Sequence, residues 1–481
     1  MISLPNAHSA AGSDLVMVRM MYAKRLISTA MLVLMLTPIG ALAQDQVASS
    51  AGGTQGSLVK LLREQIGASA LVELEWAIGT AQGRSQKFEL LVEPELEIEL
   101  PYGLDFTAIG RMRIDALDKL EPGRPSQNEI SELSRRILVG DRVDVELREL
   151  YVEATMGRTY LTVGKQQIVW GKADGLKILD VVNPQYFHEF ILDEIDDARI
   201  PLWAVNAEIP MGDFTTQLVF VLDQTYHQLP QPNSIYAFTS PMFRPSPPTG
   251  VTMDFRPVKR PKRVLADADI GVQIATLWKG WDLTLNYFYH YYDLPVLYRQ
   301  VSISPGELRV TVTPKYERSH LVGGTFSNVF AKVTLRGEGG VSSNRFFSTD
   351  DSHDADGVIK ANEIAYLLGL DWFGIQETFL SFQVFQSWIT DFKRAGLRDK
   401  LDTNASLLLR RDFLSESVVA EMFWLHNLNQ RDGLLRPKIS YELSDDVKVW
   451  LGLDFFYGSR NGLFGQFDIN DRLVIGIQYG L

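Results

Sequence analysis

Charged residues crowd one stretch of this chain, among them Lys165, Lys172, Asp174, Lys177, Asp180, Asp193, Asp196, Asp197 and Arg199. Both signs of charge are mixed there with Trp170, Tyr186 and Phe187. This set contains no nucleophile beside a base, so it does not read as a catalytic centre. It could instead line an opening whose field and diameter decide which solutes pass. The competing reading is that these residues pair with one another, and with Arg111, Arg113 and Arg148, and so pin the segment in place. The two readings are compatible.

A second constellation lies at 352–363. Ser352, Asp354, Asp356, Gly357, Ile359 and Glu363 follow the spacing of a calcium-binding loop. Calcium held by Asp354, Asp356 and Glu363 is one reading. An acidic turn built on Asp-Gly is the other. Serine at the first position and strands on both sides count against calcium. Catalysis has less support. The seven histidines are scattered, and no Gly-x-Ser-x-Gly, His-Glu-x-x-His or P-loop is present. His290 near Asp282 and Tyr291, or His426 near Ser415 and Ser417, would be needed for a barrel-embedded lipid hydrolase. Satisfied polar histidines are the plainer reading, and no enzyme is expected. A proline-rich loop at 227–266 ends in Arg256, Lys259, Arg260, Lys262 and Arg263. Its prolines predict an extended segment free of ladder pairing. Its basic end suits lipopolysaccharide phosphates or plain solvation.

The elements that must position these residues are strands. Phe88, Leu90, Val92, Leu96, Ile98 and Leu100 share one face of a period-two segment, and Glu89, Glu93, Glu95, Glu97 and Glu99 share the other. The next segment sets Arg111 and Arg113 opposite Ala108, Met112 and Ile114. Adjacent strands would then pair a glutamate row, Glu95 and Glu97 included, with an arginine row in a lumen. Eighteen such segments are expected from 69–79 to 471–481, with 308–328 read as one long pass and sixteen as the alternative count. Tight turns and long loops then alternate, which places all long loops on one side and both termini on the other, as in an outer-membrane β-barrel. Trp278, Trp281, Trp372, Trp388, Phe455 and Tyr457 stand at strand ends, where interfacial aromatics belong. The expected fold is all-β: a transmembrane antiparallel barrel with the loop 171–200 inserted in its lumen.

The two chain ends agree. Asp471–Leu481 reads as a last strand with Gly476, Tyr479 and Leu481 at the Gly-x-x-aromatic-x-apolar spacing of a barrel-assembly signal. Lys24-Arg25, an apolar run from Leu26 to Leu36, and Ala41-Leu42-Ala43 read as a secretory signal peptide cleaved after Ala43. The expected organisation is therefore 1–43 signal peptide, 44–68 periplasmic tail with a short helix, and 69–481 barrel. Cysteine is absent, which excludes disulfides and thiolate metal sites. A net charge of −12 argues against nucleic acid as a partner. Aromatics at 11% with mean hydropathy of −0.04 suit strands that face lipid on one side and water on the other.

Gly164-Lys-Gln-Gln-x-Val-Trp-Gly, then Asp180-x-x-Asn-Pro184, then Asp196-Asp-x-Arg-Ile-Pro-Leu-Trp203 resembles a family of uncharacterised porin-like proteins of proteobacterial outer membranes. The resemblance is strongest over 147–205 and looser elsewhere, including Arg336-Gly-Glu338. It implies a porin-like barrel in a Gram-negative outer membrane. It also implies inner-membrane exporters of hydrophobic compounds as neighbours. The expected role is passage or export of small or hydrophobic molecules. Surface adhesion, lipid hydrolysis and a closed scaffold barrel are the alternatives. Expected partners are outer-membrane lipid, lipopolysaccharide, the barrel-assembly machinery and an inner-membrane exporter.

Overall fold

A strand with one apolar and one polar face needs neighbours for its backbone and a different environment for each face. In the computed structural model, which describes residues 65–241, 250–305, 307–349, 354–390 and 398–481, closure of the sheet on itself supplies both. Eighteen antiparallel strands form the wall. They are β1 (Ile66–Gly79), β2 (Ser85–Leu100), β3 (Leu104–Asp115), β4 (Val143–Met156), β5 (Thr159–Gln166) and β6 (Leu202–Met211). Next come β7 (Phe214–Val221), β8 (Asp269–Trp278), β9 (Trp281–Tyr291), β10 (Arg318–Phe330), β11 (Val333–Ser348) and β12 (Val358–Trp372). The wall ends with β13 (Thr378–Ile389), β14 (Leu401–Phe413), β15 (Val418–Asn427), β16 (Asp432–Ser444), β17 (Val447–Tyr457) and β18 (Arg472–Gly480). Each pairs with the next, and β18 returns to β1 in register from Leu71↔Gly480 to Gly79↔Arg472. Closure leaves no edge strand, which a lipid environment requires.

The two faces are sorted as the alternation predicts. Leu285, Leu368, Ile439, Leu451, Leu453, Ile475 and Ile477 point outward and are exposed. Their inward neighbours, such as Asn286, Asp454 and Arg472, are buried within the lumen. Trp278, Trp372, Trp388 and Phe455 are exposed at strand ends. Trp281 packs edge-on against Phe330, with ring centroids 5.8 Å apart. Links at 157–158, 212–213, 279–280, 331–332 and 445–446 are two residues long, and Gly157 and Gly212 supply the positive φ (66° and 68°) such hairpins need. The long connections 116–142, 167–201, 222–268, 292–317 and 458–471 all leave the other end of the barrel.

Three expectations need correction. The pass expected at 308–328 is two elements: Glu307–Lys315 pairs with Val296–Ser304 in a three-stranded ribbon outside the wall, and only β10 continues the barrel. The strand count stays at eighteen because the whole of 292–317 is then one outer connection. The proline-rich loop is not free of ladder pairing, since Val251–Phe255 joins that ribbon in parallel with Glu307–Lys315. The strands expected at 159–170 and 214–226 stop early, at Gln166 and Val221. The expected leader and most of the 44–68 tail lie outside the described residues. The wall itself begins at Ile66.

At the closing seam, a Cβ on Gly476 would lie 2.0 Å from Cζ2 of Trp450 on the neighbouring strand. Gly476→Ala should therefore destabilise the barrel by roughly 1–3 kcal/mol through overpacking. Urea titration of the detergent-folded protein, followed by its gel shift, measures this. Adding Trp450→Leu should restore the midpoint. An unchanged midpoint in the single variant would show that Trp450 does not cover this glycine.

Candidate functional site in the lumen

Two residues before the ladder between β5 and β6 ends at Gln166↔Leu202, Gly164 departs from ordinary strand geometry at φ +141°. A Cβ there would sit 2.2 Å from the carbonyl oxygen of Leu150, so only glycine fits this departure. Residues 167–201 then turn into the lumen as a strap. Asn183 ties its base, accepting from the Ile168 amide (2.7 Å) and donating to the Ile200 carbonyl (2.9 Å). The first half is anchored by shape. Trp170 is buried edge-on against Phe288 (5.5 Å), lies over Gly271, and donates its indole N–H to Gln217 (2.8 Å). Leu179 occupies space left by Gly323 and Gly340, where added Cβ atoms would lie 2.5 and 3.0 Å from its Cδ2. These wall glycines are sockets for two apolar knobs.

Charge takes over beyond the knobs. Glu338, 3% exposed, accepts the backbone amides of Lys172 (2.5 Å) and Leu179 (3.4 Å). Lys172 pairs with Asp282. Arg336 pairs with Asp174 and with Asp371 (3.0 Å), and Gln383 donates to Asp174 (2.7 Å). Lys177 and Arg199 both reach Asp180 (2.8 and 2.9 Å). The far half is held from the opposite wall. Glu189, 1% exposed, is gripped by Lys87 and by Arg472 (2.6 Å). Asp454 joins Arg472 (2.6 Å) to Arg436 (2.8 Å), and Arg436 also donates to the Leu192 carbonyl (2.7 Å). The single helical turn Ile195–Ala198 is fixed by Arg111 on Asp197 (2.6 Å) and Arg148 on the Asp196 carbonyl (2.6 Å). Above it, Phe190 packs with Phe456, Phe464 and Phe467 in an aromatic cluster.

The structure therefore brings Trp170, Lys172, Asp174, Lys177, Asp180, Asp193, Asp196, Asp197, Arg199, Arg111 and Arg113 into one lumenal assembly, mostly as ion pairs. Arg111 meets Glu93 (2.5 Å) and Arg113 meets Glu89 (3.3 Å). Lys165 stays at the wall, donating to the Leu147 carbonyl (2.6 Å). Glu95 and Glu97 are not part of the assembly: Glu95 accepts from Ser69 (3.2 Å) and Glu97 is exposed. The calcium set is not gathered either. Asp354 accepts the Gly357 amide (2.7 Å), while Glu363 is held by Arg345 (3.0 Å) and Arg398 (2.9 Å). Ser352 and His353 lie outside the described residues. The hydrolase candidates are also apart. His426 meets the Tyr457 hydroxyl (3.0 Å) at the opposite end of β15 from Ser415 and Ser417, and His290 stacks on Phe288 (4.6 Å). The sequence reading missed Lys87, Glu189, Asp454 and Arg472. Their only signal was a charge on an inward-facing strand position or a charge amid aromatics.

Glu89, His188 and Glu189 place three donor atoms within 4.8 Å of one another, the geometry of a metal site. Lys87, Arg113 and Arg472 already neutralise the carboxylates, so a further cation would meet like charge. His188 stacks on Tyr186 (4.2 Å), whose ring lies under Arg113 and Arg136. Burial, with Arg113 nearby, lowers the His188 pKa to about 3, so the ring is neutral. Burial, with Glu189 nearby, raises Asp193 to about 6. Its carboxyl lies 3.2 Å from Nδ1 of His188.

A closed eighteen-stranded barrel with a folded-in strap defines a porin-like class of membrane protein. The chain belongs to the DUF1302 family, described as "Protein of unknown function", whose model matches residues 138–447. Among solved structures it is similar to Acinetobacter baumannii OccAB3 at 8% identity and TM-score 0.48, covering 87% of this chain and 98% of that one. It is similar to Pseudomonas aeruginosa opdK at 10% identity and TM-score 0.47, covering 87% and 99%. Pseudomonas aeruginosa OccK2 (OpdF), solved with glucuronate, matches at 9% identity and TM-score 0.48, covering 87% and 98%. No curated protein matches the chain.

The His188–Asp193 pair predicts a distinctive pH response of strap docking. His188 binds its proton less well when docked, so its contribution is full above pH 6.5 and falls away towards pH 3. Asp193 binds its proton better when docked, so its contribution is full below pH 3.8 and lost as pH rises through about 6. Between these limits the two effects oppose. Asp193→Asn should leave docking that weakens on acidification, by up to about tenfold per pH unit. His188→Gln should leave docking that strengthens on acidification below about pH 6. Protease accessibility of the strap against pH reads both slopes, and equal slopes in the two variants would contradict the assignment.

Proposed function

We propose that this protein is an outer-membrane channel of a Gram-negative bacterium, carrying small or hydrophobic molecules, with residues 167–201 as its constriction. The observation that carries this reading is a strap laid across the lumen of a closed barrel and held to wall strands on opposite sides. A structural plug would be served by apolar packing throughout, as around Trp170 and Leu179. Here the far half is fastened by ion pairs beside the apolar cluster of Phe190 and Leu192, and water in the lumen can replace those ion pairs when the strap moves. The knobs act as the fixed end and the Glu189 side as the movable end. Passage would follow the charged surface exposed by undocking, so size and charge would both select. The C-terminal strand suits handling by the barrel-assembly machinery after export of the chain, and lipopolysaccharide meets its outer loops. An inner-membrane exporter would hand on the hydrophobic cargo; this partner rests on the resemblance alone.

Single-channel recording of the refolded mature chain in a planar bilayer tests the reading. Stepwise conductance is expected for the wild type. Removing 174–196 should enlarge the unit step severalfold, and Arg436→Ala, which frees the Leu192 carbonyl at the movable end, should raise the open time without changing the fully open step. Absence of conductance in all three would reject a diffusion channel.

A further inference from the structure

The wall is not equally tall all round. β5 and β7 have eight residues each, and β6 and β8 have ten, whereas β11 and β12 have sixteen and fifteen. About nine to eleven residues are needed for a tilted strand to cross the bilayer. The hairpins 157–158, 212–213 and 279–280 are tight, so the missing length is at the outer end. Register makes the step explicit. The last pairing of β4 with β5 is Leu150↔Lys165, which leaves Val143–Glu149 of β4 without a wall partner on that side.

Loop residues fill the step in place of strands. Leu138–Val139 pairs with Asp144 and Val145, the Ile137 amide donates to the Val145 carbonyl (2.7 Å), and Lys165 caps the Leu147 carbonyl (2.6 Å). On the far side, the Trp203 indole holds the Leu133 carbonyl (3.0 Å). The exposed surface of this filling carries Leu133, Ile137, Leu138 and Val169, all more than half exposed, with Glu132 and Arg135 exposed beside them. Directly behind it lies an apolar cluster that includes Ile168, Val182, Leu202, Val219 and Val221. Val169 faces out between two neighbours that are 4% and 1% exposed. An apolar track thus runs from the outer face to the inside of the wall, at the one place among the described residues where strand pairing between adjacent wall strands breaks off this far short.

We propose that this gap, between β4 and the outer ends of β5–β8 with residues 131–139 as its flap, is a lateral portal through which apolar solutes of acyl-chain width pass between the lumen and the outer leaflet. The inference rests on the membrane-channel reading and names its substrate class and exit. Opening the flap parts a two-residue pairing, the Trp203 indole bond, the hydrogen bonds that the Ser131 amide and the Ser134 hydroxyl donate to Thr225 and Asp223, and the ion pairs of Arg136 with Glu121 (2.9 Å) and Asp144 (3.1 Å), while the ladders between wall strands stay intact. Apolar lining on both faces lets such a solute leave without crossing water.

The chain has no cysteine, so Leu138→Cys gives a single reactive site at an exposed position of the flap. One sample of the mature protein, carrying a fluorophore at this site, would be placed in vesicles of lipids brominated along their acyl chains. In a second sample with the thiol left free, transfer of the apolar dye N-phenyl-1-naphthylamine, and ion conductance, would be measured before and after a bulky maleimide is attached to the cysteine. Quenching by the brominated chains is expected, with dye transfer reduced to the level of protein-free vesicles and conductance unchanged. Quenching by aqueous iodide alone, or transfer unaffected by the maleimide, would overturn the portal. A disulfide joining two copies through this site would also overturn it, because a second chain would then cover the gap. Lipid quenching and blocked transfer without any conductance would support the portal and reject the aqueous channel.

Discussion

The grip of Lys87 and Arg472 on Glu189 is the constraint to which the lumen is built. All three side chains are almost fully buried, and removing one partner from such a set strands a charge at a cost of about 3–5 kcal/mol. The same network closes the barrel. Lys87 on β2 also pairs with Glu75 on β1, and Arg472 opens β18, which pairs with β1. Asp454 and Arg436 extend the network to β17 and β16. The seam that makes the sheet a barrel and the fastening of the strap therefore share side chains. Correct closure of the first and last strands is what assembles the site that receives Glu189.

The opposite half of the lumen works by volume. Gly271, Gly323 and Gly340 remove wall side chains where Trp170 and Leu179 must enter. Glu338 then captures two strap amides at the same level. Glycine in a strand interior costs stability, so three at one contact make sense only as sockets. The strap is thus fitted at one end and ionically tethered at the other.

Much of this was legible in the sequence, and the failures have physical causes. Period-two alternation located the wall strands other than β10 within a few residues, because each must sort lipid-facing from lumen-facing side chains. It misread 308–328 because Val310, Val312 and their neighbours alternate equally well in a ribbon outside the wall; alternation reports a half-buried strand, not what buries it. It overran β5 because Ile168, Val169 and Trp170 keep the rhythm after the ladder has ended at Gln166. The mixed charges of 165–199 announced a folded segment. Their partners could not be read, since Glu189 and Arg472 lie far apart in sequence and meet only when the barrel closes. Glu363 shows the reverse: a motif spacing suggested a calcium ligand, and two distant arginines claimed it.

Why tether with charge at all? A barrel lumen supplies water whenever a segment withdraws. An apolar contact that opens into water loses its burial outright, roughly 25 cal/mol for each Å² exposed. An ion pair that opens into water recovers the hydration it surrendered on docking, so its net strength is far below its Coulomb energy. The fitted end around Trp170 therefore resists withdrawal, as does Phe190 in its aromatic cluster, while the ion pairs around Glu189 give a defined docked geometry. His188, kept neutral by burial, adds no charge among the salt-bridged Lys87, Glu89, Arg113, Glu189 and Arg472 around it. Closure of the wall fixes where the strap docks, and the chemistry of the tether sets how little it costs to let go.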